Sequence, residues 1–165
     1  MKPSVIVVTG RAGSGKSELT KRIARAFRFA SRNVGDELRR RLRDKGVALP
    51  ERRQTGEVFF RHFGLQDYVT LVVELMRPNT VIDGVRLQEA LQFARSRTKF
   101  VQIHRPSRHE DGEPERRGLK CVYESPSSVL ASTANVEVAW AQRPEDLDEI
   151  VWMRVACLVQ LPSQE

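Results

Sequence analysis

The sequence predicts an α/β fold in which a parallel sheet is covered by helices on both faces. Short β-branched apolar runs alternate with stretches of helical periodicity, and a glycine-rich turn joins the first run to the first helix. Continuous apolar strands belong to sheets buried on both sides, and strand–helix alternation is the pattern of parallel crossover units. At 165 residues the chain fits one domain, expected to span 1–165.

The elements follow in order. "SVIVVTG" predicts a buried strand, and "GKSELTKRIARAF" places Leu19, Ile23, Ala26 and Phe27 at helical spacing. "RNVGDELRRRLRDKG" predicts a short strand or loop, then a helix with Asp36 as its N-cap and Gly46 as its stop. "ERRQTGEVFFRHFG" and "QDYVTLVVELMR" predict two further helices, the second with Val69, Val72, Val73 and Met76 along one face. That face suits a core or a dimer contact. "TVIDG" and "KFVQIH" predict strands on either side of the helix "RLQEALQFARSR". "VEVAW" predicts the last strand, and "PEDLDEIVWMRVACLVQL" a closing helix with acids in its first turn, where the helix dipole favours them.

Between the first strand and helix, "GRAGSGKS" fits the pattern GxxxxGK[ST]. Backbone N–H groups of such a loop wrap phosphate oxygens, and the helix N-terminus adds partial positive charge. Gly10, Arg11, Ala12, Gly13, Ser14, Gly15, Lys16 and Ser17, with Glu18 following, are the candidate ATP-binding residues. Lys16 would reach the β- and γ-phosphates, and Ser17 would ligate Mg²⁺. The expected cofactors are therefore ATP and Mg²⁺, in a three-layer P-loop NTPase fold. Asp83 closes an apolar strand, where a lone carboxylate is costly to bury. It would hold Mg²⁺, through water or directly, or accept a proton if the acceptor is a hydroxyl.

Two short motifs bring a resemblance. "GDELR", Gly35 to Arg39, resembles the GDxLR segment of nucleoside monophosphate kinases of the adenylate kinase type, and "VIDGVR" resembles the later strand that carries their acceptor-binding arginine. The short spacing of "IDGVR" is more similar to the phage deoxynucleoside monophosphate kinases and the dephospho-CoA kinases, and "RRQTGEVFFRHFGLQDYV" resembles a helical segment of the phage enzymes. The resemblance implies transfer of the γ-phosphate of ATP to a nucleoside or deoxynucleoside monophosphate, with Arg39 and Arg86 on the acceptor phosphate. Phosphoryl transfer itself calls for arginines on both sides of the transferred group. Asp36 would sit near that group, and Gln54, Gln88 and Glu89 would hydrogen-bond an acceptor base or sugar. The acceptor-binding helical region is placed at about 33–78. Alternatives are a polynucleotide end, a modified base or a dephospho-CoA-like nucleotide as acceptor, and a non-catalytic ATP-binding switch.

The stretch "HRPSRHEDGEPERRGLK" follows a strand end on the same sheet edge as Gly10 and Asp83. In P-loop kinases this connection carries a lid that closes over the triphosphate. Arg105, Arg108, Arg116 and Arg117 are the candidates in a short lid at about 105–120, Arg105 and Arg108 for ATP and Arg116 for catalysis. Its basic residues are nearly balanced by Glu110, Asp111, Glu113 and Glu115.

The net charge of +7 is concentrated between Lys21 and Arg53, where twelve Lys/Arg meet four Asp/Glu. A polyanion, including nucleic acid, is therefore a possible partner beside the small-molecule nucleotide acceptor. Three dispersed histidines and two distant cysteines form no metal-ligand spacing, and Cys121 and Cys157 are expected as buried free thiols. With no signal-peptide pattern and no apolar span of membrane length, the chain is expected to be cytoplasmic, off the membrane, and a monomer or homodimer.

Overall fold

The structure, a computed structural model, describes residues 2–10, 13–106, 125–138 and 149–161. Five parallel strands form one sheet in the order β2-β3-β1-β4-β5: β1 Val5–Thr9, β2 Ala30–Asn33, β3 Thr80–Asp83, β4 Val101–His104 and β5 Val136–Glu137. The helices are α1 Lys16–Phe27, α2 Val34–Asp44, α3 Thr55–Phe63, α4 Leu65–Leu75, α5 Gln88–Arg97, α6 Ser127–Ala131 and α7 Glu149–Leu158. A 3-10 turn at Arg52–Gln54 precedes α3.

The central strand shows why the sheet is covered on both sides. All five residues of β1 are buried. Val5 and Val7 join a core with α2, α3, α4 and α5 through Leu42, Phe59, Leu71 and Leu91. Ile6 and Val8 face the other way, into a core with Leu19 and Ile23 of α1 and Val155 of the α7 helix. Each fully buried Val, Ile or Leu contributes about 1.5–3 kcal/mol, so the two cores fix the layers independently. The apolar face of α4 is spent in the first of them, with Tyr68, Val69, Leu71 and Val72 buried.

Three expectations are corrected. Asn33, not Asp36, caps α2: its Oδ1 accepts the Asp36 N–H at 2.9 Å, which places Asp36 inside the first turn. The helix stops as expected, with the Gly46 N–H returning to the Arg43 carbonyl. Helix α6, in a stretch left unassigned between the lid and the last strand, buries Leu130 in the first core. Cys157 is exposed rather than buried, because α7 turns only one side to the sheet. Cys121, and the expected lid from Ser107 to Lys120, lie outside the described residues. Among the described residues no helix is long and apolar enough to cross a membrane.

Candidate active site

Parallel strands put all their C-terminal ends at one edge, and β1, β3 and β4 there deliver Gly10, Asp83 and Arg105 side by side. Gly10 has no room for a side chain: a Cβ would lie 2.5 Å from the Arg105 carbonyl oxygen and 2.7 Å from Ser14 Oγ. Gly15, at φ 81°, opens α1 in the left-handed region, where a larger residue would be strained. No side chain caps this helix, and the positive end of its dipole faces the loop, where it favours an anion. Arg105 is buried against the loop, donating from its backbone N–H to the Thr9 carbonyl at 2.9 Å and from Nε to the Ser14 carbonyl at 2.8 Å. Lys16 is buried in the same place.

A second cluster joins α1, β2 and β3. Ser17 Oγ donates to Asp83 Oδ2 at 3.1 Å, and Asn33 Nδ2 donates to Asp83 Oδ1 at 2.7 Å. One asparagine thus caps a helix and orients a carboxylate that is only 3 % exposed. Ser17 and Asp83 form the hard oxygen donor set that Mg²⁺ prefers. Together with the uncapped helix and the glycine cradle, these residues fit a magnesium–triphosphate group.

Facing the cradle is a cavity of about 310 Å³ bounded by Lys16, Ser17, Asn33, Arg39, Arg86 and Tyr68 among others. Arg39 is half-buried, its Nη1 donating to the Pro50 carbonyl at 2.7 Å and to Thr55 Oγ1 at 3.1 Å. Both partners are neutral, and Arg39 forms no ion pair with any described carboxylate. Phe60 and Tyr68 stack at 5.0 Å and supply an apolar wall. The Tyr68 hydroxyl accepts the Arg86 backbone N–H at 3.4 Å, tying the wall to the loop after β3.

The connection after β4 is rooted in both halves. His104, fully buried, is hydrogen-bonded to Thr9 Oγ1 through Nδ1 at 2.9 Å and to Ser127 Oγ through Nε2 at 3.1 Å. On the far side, the Ser125 N–H donates to the Arg86 carbonyl at 2.7 Å, and Ser125 Oγ accepts the Gln88 N–H at 2.8 Å.

No protein-family model matches the sequence, and no curated protein matches it. Solved structures do. Shikimate kinase from Aquifex aeolicus superposes with a TM-score of 0.61 at 19% identity, over 92% of this chain and 96% of that one. Shikimate kinase from Acinetobacter baumannii, in complex with shikimate, gives 0.57 at 13% identity, over 94% of each chain. The APS kinase of Mycobacterium tuberculosis, in complex with AMPPNP and APS, gives 0.55 at 14% identity, over 94% of this chain and 98% of that one. The chain shares the three-layer α/β P-loop fold of these structures.

On this fold the expected residues separate into three groups. Gly10, Lys16, Ser17, Asp83 and Arg105 gather around the cradle, and Arg39 and Arg86 reach the cavity beside it. Asp36, Gln54 and Glu89 are exposed and do not line that cavity; the Asp36 carboxylate instead pairs with Arg52 at 3.0 Å. Glu18 is exposed beside Arg22, and Gln88 is turned inward, its Nε2 donating to Thr133 Oγ1 at 3.2 Å. Arg11, Ala12, Arg108, Arg116 and Arg117 lie outside the described residues. Asn33, Thr55 and Tyr68 were not anticipated. An asparagine immediately before the helical run was the available signal for the first, since asparagine is a favoured N-cap residue.

Proposed function

We propose that the protein is an ATP-dependent phosphotransferase whose acceptor is a nucleoside or deoxynucleoside monophosphate. The observation that carries this reading is Arg39: a guanidinium held by two neutral oxygens, with no described carboxylate partner, inside a cavity that opens onto Lys16 and Ser17. A cation fixed in this way is preorganised for an anionic group of the ligand. The stacked Phe60–Tyr68 wall suits a flat ring at the other end of the same ligand. A volume of about 310 Å³ fits a small molecule. The superposing structures are kinases by name, which supports phosphoryl transfer as the reaction.

Bound Mg²⁺-ATP would supply the phosphoryl group, its terminal P–O bond breaking as an acceptor oxygen bonds to the same phosphorus. The cradle and Lys16 hold the donor phosphates, and Ser17 and Asp83 provide oxygen ligands for the metal. Arg39 and Arg86 hold the acceptor phosphate and offset the repulsion between two anions brought together. An acceptor phosphate is already ionised near neutral pH, so no side chain has to remove a proton. Catalysis then consists of positioning and charge neutralisation.

Incubation with Mg²⁺-ATP and a panel of nucleoside and deoxynucleoside monophosphates, followed by mass spectrometry, tests the reading. ADP formed in step with a diphosphate product is expected. Transfer only to uncharged hydroxyl acceptors, or ADP release that ignores every acceptor, would overturn it.

A further inference from the structure

The opposite edge of the sheet carries charge of a different kind. Strands β1 to β5 begin there, α1, α4 and α5 end there, and the Gln160 N–H bonds the Pro3 carbonyl across it. The segments that meet at this edge, 2–5, 27–30, 76–80, 95–101, 132–136 and 158–161, contain Lys2, Arg28, Arg77, Arg95, Arg97 and Lys99 and not one Asp or Glu. None of these six cations forms an ion pair with a described carboxylate. Several exposed arginines elsewhere are paired instead: Arg40, Arg41, Arg52, Arg53 and Arg61 all have acidic partners.

An open groove of about 510 Å³ runs along this edge between Lys2, Arg95, Arg97 and Lys99, with the hydroxyl residues Ser4, Ser96 and Thr98 among its walls. Arg95 lies over the Phe100 ring at 4.6 Å and Arg97 over the Phe93 ring at 5.0 Å. Arg95 Nη2 also donates to Gln102 Oε1 at 2.8 Å and to the Thr133 carbonyl at 3.0 Å, which fixes it in the groove wall, whereas stacking restrains the Arg97 guanidinium plane and leaves its N–H edge for a ligand. Helix dipoles account for cations in the last turn of α5. They do not account for Lys2 and Lys99, which lie on no helix.

We propose that this groove binds the phosphate backbone of a nucleic acid, without reading its sequence. Repeated arginine, lysine and hydroxyl contacts suit a repeating phosphodiester. The rings are already covered by arginines, so base stacking is not on offer. The groove lies at the end of the sheet away from the P-loop, so the surface does not rest on the assignment of the phosphoryl acceptor.

Fluorescence anisotropy with labelled 20-mer DNA and RNA duplexes, from 50 to 200 mM NaCl, tests the proposal. Binding should weaken steeply with salt, log K falling by about 0.9 per neutralised phosphate for DNA. The double variant Arg97→Glu/Lys99→Glu should lose at least about tenfold in affinity at low salt and show a salt slope shallower by roughly 2. Lys2→Glu/Arg28→Glu, which reverses one residue of the groove and one cation beyond it on the same edge, should act in the same direction, so the test survives if one pair fails to fold. Reversal of Arg40 and Arg43 on α2 should leave binding unchanged. Absence of binding at 50 mM NaCl would overturn the proposal. So would loss of binding only in the α2 variant, or displacement by polyglutamate as effective as by nucleic acid at equal charge, which would mark an acidic protein surface instead.

Discussion

At the C-terminal edge of the sheet, Arg39 and Arg105 are held by carbonyl and hydroxyl oxygens at 2.7–3.1 Å. At the N-terminal edge, Lys2, Arg28, Arg77 and Lys99 make no side-chain hydrogen bond to any described residue. The same strands run between the two edges, so the difference lies in how the loops dispose of their charge. A cation fixed by neutral partners has already given up its rotamer freedom and can address one ligand in one geometry. A cation left mobile on the surface neutralises phosphate wherever it is presented, with strong dependence on salt. The upper edge is built for discrimination, the lower for capture.

Substitution of the cradle lysine breaks the upper edge most severely. Lys16→Ala should lower turnover by about 10²–10³, the usual cost of removing one positioned electrostatic contact to a transition state. Thermal stability should hardly change, since the lysine lines a cavity rather than filling the core. Steady-state kinetics beside a melting curve checks both halves, and unchanged turnover would remove the cradle from the mechanism. The Arg97→Glu/Lys99→Glu variant should leave the same turnover intact, which keeps the two edges separable.

A charge-conserving change asks whether geometry or mere charge matters at the acceptor end. Arg39 bonds Pro50 O and Thr55 Oγ1 through Nη1 alone, so Arg39→Lys removes the Nη2 and Nε donors that the planar group would turn to an acceptor phosphate. The acceptor KM should rise roughly 10–100-fold, in line with about 1.5–3 kcal/mol for a hydrogen bond to a charged group, while the KM for ATP stays within about twofold. A near-wild-type acceptor KM would make Arg39 a general counter-charge, like the cations of the lower edge.

Asn33→Ala should act on stability and activity at once. Losing the α2 cap costs about 1 kcal/mol, which for a domain of this size lowers Tm by about 2–4 °C. The freed Asp83 carboxylate should weaken Mg²⁺ dependence about tenfold, as loss of a partner behind a metal ligand commonly does. Asn33→Asp restores the cap but opposes two carboxylates, so it should recover Tm only in part and not the Mg²⁺ response. Parallel recovery of both would dissociate Asn33 from the metal.

These residues also show what the sequence could disclose. The P-loop was legible because its glycines answer a local demand: backbone packed against Arg105 at Gly10, and a left-handed turn at Gly15. Asp83 was legible because a carboxylate ending a buried strand has few other uses. Asn33 was not, since its role joins two segments: the cap is local, but the bond to Asp83 spans fifty positions. Tyr68 was hidden for the same reason, reading as one more apolar position of α4 while its hydroxyl meets the Arg86 backbone. Asp36, Gln54 and Glu89, expected at the acceptor, are exposed, since their burial depends on contacts that residue type alone does not set. The basic tract at 21–53 was visible as a sum. Only the fold showed that many of its arginines are paired and that an unpaired face is assembled from six distant segments.

The smallest effect is expected where charge is already paired at the surface. Arg40 hydrogen-bonds to Glu37 and, with Arg41 nearby, holds the Glu37 carboxyl below its ordinary value of 4.5. A carboxylate with a depressed pKa in the folded state adds stability that is present above about 4.5 and lost as pH falls through the folded value. Glu37→Gln should therefore remove a shallow acid limb from the Tm–pH curve below about pH 5. At neutral pH the shift should be only about 1–2 °C, because a largely exposed pair is weakened by solvent. Added salt should shrink even that difference, as it screens the attraction in the parent protein. A loss of many degrees at pH 7 would mean that the Glu37–Arg40–Arg41–Glu74 chain clamps α2 to α4. The upper lobe would then owe its rigidity to ion pairs, and Arg39 would be held in place by its neighbours' charges more than by Pro50 and Thr55.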